Sequence, residues 1–219
     1  MQPPQRTPGR GRPRTITRER IADVSIVIGL PNLTFVGVAA ALGVSHMALY
    51  KHVPNVEALK CMVAEEIFQR WQIPRAEDAG GESLQAYLIR FAISVQAYVK
   101  AHPGLTPYVI RRLAATDAMI GKITEHQAHI AQAYELSLEQ SRSLLSTVAF
   151  HAFAVADTVY TVSGREPLLD ADRAVEEAEM EVELIDGMKA LITGALIFLG
   201  ASNGRAYVSS TKGDDVGII

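Results

Sequence analysis

The side chains best suited to chemistry lie in one short segment, Ser45 to His52, which reads SHMALYKH. It is only about two helical turns long. It offers hydroxyl, imidazole, ammonium and thioether groups, which can hydrogen-bond, carry charge or make apolar contacts, on Ser45, His46, Met47, Tyr50, Lys51 and His52. Ala48 and Leu49 remain to face a core. A purely structural helix does not need so many polar groups, so we interpret the segment as a contact surface.

Signatures of enzymes are absent from the 219 residues. There is no G-x-S-x-G elbow, phosphate-binding loop, G-x-G-x-x-G, C-x-x-C or H-E-x-x-H sequence. Glu125-His126-x-x-His129 comes nearest to a metal site, but no third protein ligand is evident and a solvated helix face is favoured. We therefore expect no enzyme activity, no cofactor and no metal.

The elements that position these side chains are predicted to be helices throughout, because apolar residues recur at helical spacing and no strand-like alternation bounded by hairpin turns occurs. The fold class is all-α: a three-helix N-terminal domain and a C-terminal helical bundle. Predicted helices span about Thr17–Gly29, Thr34–Leu42, Ser45–His52, Val56–Trp71, Ser83–Ala101, Gly104–Ala115, Ala118–Leu136, Leu138–Val162 and Asp170–Leu199.

A helix-turn-helix is predicted around Gly43. Thr34 begins a helix with one apolar stripe, Gly43 supplies the left-handed backbone of a sharp turn, and Ser45 is positioned to cap the next helix. In a helix-turn-helix the second helix enters the major groove of DNA. An ordinary corner between two helices has the same spacing and remains the alternative at this point.

Charge is distributed unevenly along the chain. Residues 1–60 hold eight Lys and Arg against three acidic residues, a net charge of +5, whereas the other 159 residues hold 13 against 21, a net charge of −8. A basic head on an acidic body favours a polyanionic partner for the head. Residues 1–14, rich in Pro, Gly and Arg, are expected to form a disordered arm whose Arg10, Arg12 and Arg14 enter the minor groove. A passive solubilising tail is the alternative.

The stretch Thr34 to Leu59, TFVGVAAALGVSHMALYKHVPNVEAL, together with the preceding ITRERI, resembles the DNA-binding domain of tetracycline-repressor (TetR) family transcriptional regulators. LGVS, ALY, the His before Val-Pro and the capped E-A-L carry the match, which extends over about residues 12–68. The resemblance implies a homodimer that binds a palindromic double-stranded DNA operator and is released by a small-molecule effector. It divides the chain into an arm at 1–14, a DNA-binding domain at 15–60 with its last helix continuing to about 71, an effector and dimerisation domain at 72–200, and a loose tail at 201–219.

The resemblance also implies roles for individual side chains. Ser45, His46 and Met47 would face base edges, while Tyr50, Lys51 and His52 would contact phosphates. Thr34 and Asn55 lie at helix N-termini, whose free N–H groups favour an anion.

Three positions depart from the family pattern. Val36, Gly37 and Val56 stand where polar or basic side chains are usual, and we hypothesise that the arginine arm compensates for the missing positive charge.

Two features are predicted for the body. The helix from Leu144 to Val162 is apolar all round, and the last helix carries an apolar stripe from Val175 to Leu199, so the pair is expected to form half of a four-helix dimer interface or to pack within one chain. Aromatic side chains with a few polar tips suggest an effector pocket, or a plain core, formed by Trp71, Phe91, Tyr98, His102, Tyr108, Phe150, His151 and Phe153.

The cellular context follows from composition. The one cysteine, Cys61, excludes an internal disulfide framework, is expected to be buried and inert, and fits a reducing cytosol. No secretory signal is apparent, and the longest apolar segment, Leu144 to Ser163, carries enough polar residues to be interpreted as a buried helix. The leading hypothesis is a cytoplasmic, ligand-responsive repressor. The alternative is an all-α binding or interaction protein with weakened DNA affinity.

Overall fold

The computed structural model describes residues 16–110, 115–163 and 172–210. Within these ranges the protein is all-α, as predicted, with no strand. The helices are α1 (Arg18–Ile28), α2 (Phe35–Leu42), α3 (His46–Leu49), α4 (Val56–Arg70), α5 (Leu84–Ala101), α6 (Thr106–Val109), α7 (Asp117–Ala133), α8 (Leu138–Ser163) and α9 (Arg173–Ser210). Short 3₁₀ turns lie at Leu30–Asn32 and Ala76–Ala79.

The first three helices and the start of α4 form a head whose boundaries follow from local hydrogen bonds. The side chains of Thr17, Thr34 and Asn55 each accept a hydrogen bond from a backbone N–H three residues ahead, at 3.3, 3.0 and 2.8 Å. Gly43 ends α2 in the left-handed conformation, with φ +71°. Because these caps satisfy backbone groups that the helix itself leaves unpaired, the helix starts follow from sequence alone.

Helix α4 belongs to both the head and the body. Near its start Leu59 and Val63 are fully buried in the core, which also includes Ile21 and Val38 of the head. At its end the α4 side chain of Arg70 bonds Asp23 of α1 at 2.6 Å and Glu66 at 2.7 Å. Beyond the head, α4 packs against α6 and α7.

The body is a layer of helices around α5. This helix packs against α8 and α9, while α7 packs against α8. Tyr87, Leu88 and Val95 of α5 are fully buried. By length and composition, the segment Leu138–Thr161 of α8 is the one helix in the described part of the chain that could cross a membrane. In this fold it packs against α5, α7 and α9.

Four predicted boundaries are corrected by the structure. Helix α3 ends at Leu49, with His52 in a following turn, and the helix predicted from Gly104 to Ala115 is only Thr106–Val109 in the described residues. Helix α7 ends at Ala133 because Glu135 takes a positive φ of 52°. The last helix continues through Gly200 to Ser210, where a loose tail was predicted; residues 211–219 lie outside the described ranges.

The turn between α5 and α6 shows why one glycine is needed. Gly104 has φ +79°, and a Cβ there would lie 3.2 Å from Cγ of Pro31 in the head. A side chain at this position would therefore strain the backbone and press on the junction between head and body.

Candidate nucleic-acid interface and ligand cavity

The predicted contact segment is exposed. Ser45, His46, Met47, Tyr50, Lys51 and His52 all face solvent, as do Thr34 and Asn55 at the starts of α2 and α4. Leu49 and Val53, in contrast, are 0% and 4% exposed. The inward apolar residues thus anchor the segment while the polar ones remain available to a partner.

Tyr50 supports α3 as well as being available for contact. Its ring stacks on Phe35 with centroids 4.6 Å apart and planes 9° from parallel, and the residue remains 49% exposed. Ser45 stands at the N-cap position but its side chain makes no capping hydrogen bond. Since α3 has only four residues, the Phe35–Tyr50 stack and buried Leu49 hold it in place.

The departures at the start of α2 have different structural settings. Val36 is 70% exposed, an apolar side chain on the surface where a polar one was expected. Gly37 donates its N–H to the Thr34 hydroxyl at 3.0 Å, and a Cβ at Gly37 would lie 3.0 Å from the same oxygen. Any side chain at Gly37 would crowd the cap, so the glycine allows Thr34 to close the helix tightly.

The arginines of the predicted arm, Arg10, Arg12 and Arg14, lie outside the described residues. Within residues 16–60 the structure retains four Lys and Arg against three acidic residues, a net charge of +1. Most of the positive charge of the head therefore belongs to the first fifteen residues.

A cavity of about 350 Å³ lies in the body, at the lower end of the roughly 300–1,000 Å³ of small-molecule sites. Its deep wall is aromatic and comes from the end of α4, from Trp71, from α5 and from α8. Residues lining it are Phe68, Trp71, Ile73, Phe91, Val109, Ile110, Ala115, Ile120, Ile123, Thr124, His126, Gln127, Arg142, Leu145, Ser146, Ala149, Phe150 and Phe153. The exposed members of this set, Ile120 and Thr124 on α7 and Arg142, Ser146 and Phe150 on α8, place the mouth between these two helices.

Four of the eight predicted pocket residues line this cavity: Trp71, Phe91, Phe150 and Phe153. Tyr98 lies behind the wall, stacked on Trp71 with centroids 4.5 Å apart, and His102 packs edge-on against Tyr98. Burial raises the pKa of Tyr98 and lowers that of His102.

The two remaining predicted residues point elsewhere. Tyr108 of α6 faces the start of α4, where burial and then a hydrogen bond with Glu57 raise its pKa to about 12. His151 is exposed and its Nδ1 lies 3.0 Å from the carbonyl oxygen of Thr147. The prediction of a pocket that includes Tyr98, His102, Tyr108 and His151 is wrong for this cavity. Residue composition does not determine which side of each helix faces the cavity.

Sequence reasoning missed several lining residues, notably Phe68, Gln127 and Arg142. A signal for the last was present: Arg142, Leu145, Ala149 and Phe153 share one face of α8 at helical spacing, which places the arginine in line with an aromatic pocket residue.

The prediction that the two histidines of α7 lie on a solvated helix face is wrong. His126 is largely buried, with Nε2 2.8 Å from the Tyr87 hydroxyl. His129 is 17% exposed, with Nε2 2.9 Å from a Glu77 carboxylate oxygen and Nδ1 3.1 Å from the guanidinium of Arg75. His126 thus ties α7 to α5, and His129 ties α7 to the connector before α5. No group of three potential metal ligands is found among the described side chains.

The stability of the fold is expected to fall in mild acid because of His126. Burial, and then the charges of His129, Arg75 and Lys122, lower the pKa of His126 to about 4, whereas an unfolded histidine titrates near about 6.5. Below about pH 6.5 the unfolded chain binds a proton that the folded chain does not bind, so stability is lost as the pH falls towards 4. The expected loss from this group between about pH 7.5 and pH 5 is about 2 kcal/mol.

Urea unfolding at both pH values measures this loss. His126→Gln should reduce the difference by about that amount relative to wild type. The control is His151→Gln, which removes an exposed histidine and should keep the wild-type difference. An unchanged pH dependence in His126→Gln would contradict the assignment.

The expectation that Cys61 of α4 is buried is corrected by the structure. Cys61 is half-buried, and burial followed by the charge of Glu57 raises its pKa. A thiol with a raised pKa is a poor nucleophile at neutral pH, so its inertness stays a prediction that this environment favours.

The two candidate sites lie at opposite ends of α4. Asn55, on the exposed surface with α3, precedes its first residue, whereas Phe68 and Trp71 at its other end line the cavity. A helix of 15 residues spans about 22 Å. The exposed surface of the head and the wall of the cavity therefore share one helix.

Several solved structures share this fold at 17–18% sequence identity. The chain resembles a TetR of Acinetobacter baumannii AYE (TM-score 0.63, 18% identity, 84% of this chain and 99% of that one). It also resembles the Streptomyces coelicolor TetR family protein ActR in complex with (S)-DNPA (TM-score 0.60, 17% identity, 84% and 99%). A further similar structure is ActR in complex with actinorhodin (TM-score 0.59, 18% identity, 85% and 99%).

No protein-family model and no curated protein matches the sequence. The shared feature is the architecture: a helix-turn-helix head on a helical body, the fold of TetR-family regulators.

Proposed function

We propose that this chain is a TetR-family transcriptional regulator that binds a palindromic operator as a homodimer and leaves it when a small molecule enters the body cavity. The observation that carries this proposal is the placement of α4. Its first residue adjoins the exposed α3 surface, and its last turn forms part of the wall of a 350 Å³ cavity. Such a protein acts on DNA in the cytoplasm as a repressor and needs no catalytic group.

The proposed DNA surface combines reading and positioning groups. Ser45, His46 and Met47 begin α3 and are exposed, so they read base edges in the major groove. Tyr50, Lys51 and His52 contact phosphates, which fix the register without reading sequence. The N-termini of α2 and α4, capped by Thr34 and Asn55, add backbone N–H groups for two further phosphates.

The arginine arm supplies charge that the folded head lacks. With a net charge of only +1 in residues 16–60, the head by itself neutralises few phosphates. Arg10, Arg12 and Arg14 in the minor groove would compensate, since each neutralised phosphate releases condensed counterions.

Dimerisation is proposed along α8 and α9. Outward-facing apolar side chains on these helices include Val155 at 40% exposure, Val175 at 52%, Val182 at 59% and Ile197 at 68%. Leu184, Met188 and Ile192 of α9, in contrast, are 6% exposed or less and belong to the core of the single chain. An apolar face outside the single-chain core is the pattern of a two-fold interface, which would present two α3 segments to successive major grooves.

A binding assay with the full chain tests the proposal. Duplexes that tile the DNA upstream of its own coding region are titrated at two salt concentrations, and sedimentation gives the stoichiometry. We expect one of the duplexes to form a complex with the protein. This complex should persist in the presence of competitor DNA and should contain two protein chains. Deletion of residues 1–14 should flatten the slope of log affinity against log salt by about 0.9 for each phosphate that the arm neutralises.

The near-neutral described head also favours a second candidate, a helical small-molecule binding protein with little DNA affinity. If no duplex binds even at low salt, while the chain remains folded, the second candidate holds and the regulator proposal is wrong.

A further inference from the structure

The cavity carries one sign of charge. Among its described lining residues Arg142 is a cation and no residue is a carboxylate. Its remaining polar groups, Thr124, Gln127 and Ser146, are neutral. His126 is neutral at pH 7 because its lowered pKa is about 4. A ligand in this cavity therefore meets a single positive charge with nothing in the described lining to neutralise it.

Arg142 is not committed to another role in the fold. It is exposed, and it forms neither an ion pair nor a hydrogen bond with any residue that the structure describes. On the same helix face Leu145, Ser146 and Ala149 carry no charge. Glu139, three residues before Arg142, is exposed and forms no ion pair with it. A guanidinium at a cavity mouth offers a planar fork of donors that matches an oxyanion.

The deep wall of the cavity favours flat rings. Trp71 lies nearly parallel to Phe91, with planes 26° apart and centroids at 6.3 Å, and Phe153 meets Trp71 edge-on at 83°. The Trp71 N–H is already bonded to the Ser94 hydroxyl at 3.2 Å, so the indole offers its apolar surface. Aromatic faces and edges of this kind attract a further aromatic ring.

The distance between the aromatic wall of the cavity and the guanidinium of Arg142 suits a single small-molecule ligand. Arg142 at the mouth and Phe153 in the wall are three turns apart on α8, about 16 Å along the axis, and the cavity between them holds about 350 Å³. We propose that the effector is an aromatic acid, ionised at neutral pH, whose rings pack against Trp71, Phe91 and Phe153 and whose oxyanion pairs with Arg142. This inference rests on the proposed function only in treating the cavity as the effector site.

A matched pair of dyes tests the proposal without DNA. 1-Anilinonaphthalene-8-sulfonate carries a sulfonate, and N-phenyl-1-naphthylamine is the same ring system without it. Trp71 is the only tryptophan in the chain, so energy transfer from tryptophan to a dye reports occupancy beside the cavity wall. Titrations use the full chain.

Arg142→Gln is expected to raise the dissociation constant of the sulfonate dye about fivefold and to change that of the neutral dye by less than about twofold. Arg142→Lys, which keeps the charge, should lie between wild type and Arg142→Gln. The matched control is Arg18→Gln, which removes an exposed arginine from the head and should leave both constants unchanged.

Ala149→Phe fills the cavity from α8 and is expected to abolish energy transfer to both dyes. If it leaves transfer intact, the dyes bind elsewhere and the assignment of this cavity fails. If Ala149→Phe blocks both dyes but Arg142→Gln weakens them equally or not at all, the preference for an acid is wrong. Neither failure bears on operator binding, which the duplex titration measures separately.

Discussion

Replacing Tyr50 with alanine is expected to lower the affinity of the full chain for its proposed operator by about a hundredfold, whereas Tyr50→Phe lowers it by about tenfold. The ring and the hydroxyl of Tyr50 have separate roles. The ring stacks on Phe35 at 4.6 Å and braces a four-residue α3, while the hydroxyl is free to donate to a phosphate. A hydrogen bond to a charged group contributes about 1.5 kcal/mol or more, which is about tenfold. The aromatic pair adds about 0.5–1.5 kcal/mol beyond its buried area.

Operator titration by fluorescence anisotropy measures both variants. Thermal unfolding of each confirms that the head is intact, since Tyr50 is half-exposed and its removal should not unfold the protein. Lys51→Ala belongs to the same series, and Lys189→Ala, an exposed lysine of α9, is the control for removing one positive charge. Wild-type affinity in a Tyr50→Ala, Lys51→Ala double variant would exclude α3 as the reading element.

Lys122→Met is expected to lower the free energy of unfolding by about 2 kcal/mol, the largest effect we anticipate from one half-buried polar side chain in the body. The Lys122 ammonium group donates to the carbonyl oxygens of Phe68, Gln69 and Trp71 at 3.0, 2.7 and 2.7 Å. Phe68 and Gln69 lie in the last turn of α4 and Trp71 is its C-cap, where carbonyl groups lack the usual helical partner four residues on. The Phe68 oxygen also accepts the Trp71 N–H at 3.3 Å. A cation also suits the negative end of the helix dipole.

The Lys122 side chain has a second consequence, because it lies on the helix that forms one side of the cavity mouth. Its neighbours Ile120, Ile123 and Thr124 line the cavity, so Lys122 ties the cavity-lining helix α7 to the end of α4. Amide hydrogen exchange in the last turn of α4 should therefore rise in Lys122→Met. We expect Lys122→Arg to retain part of the stability.

Urea unfolding provides the measurement of stability. Lys189→Met is the matched control: its ammonium group pairs with Asp186 at 2.9 Å on an exposed surface, and exposed pairs contribute about 0–1 kcal/mol. Equal stability of Lys122→Met and Lys189→Met would show that the three carbonyls are satisfied by water instead.

The predicted and observed pockets differ for a reason that applies to all the helices of the body. Trp71 and Phe153 were identified by residue type, and both line the cavity. Tyr98 and His102 have the same chemical character but lie on the far side of Trp71. Composition identifies residues able to line a pocket, but the rotation of each helix about its axis selects among them.

The sequence by itself determined the head and the helix starts. Thr17, Thr34 and Asn55 cap backbone groups only three residues away, and Gly43 sets a turn by its own backbone freedom. Such contacts form within a few residues of chain, so the pattern of residue types suffices to predict them. The exposed character of the segment from Ser45 to His52 followed in the same way, from the inward placement of Leu49.

Only the tertiary structure decided which distant residues meet. Lys122 reaches Trp71 across 51 residues, Tyr87 meets His126 across 39, and Gly104 approaches Pro31 across the junction of head and body. The sequence around one residue of such a pair does not identify the other, because the contact depends on how whole helices pack. The cavity, the bracing of α4 and the position of Arg142 are therefore properties of the packed helices, whereas the exposed segment from Ser45 to His52 is a property of the local sequence.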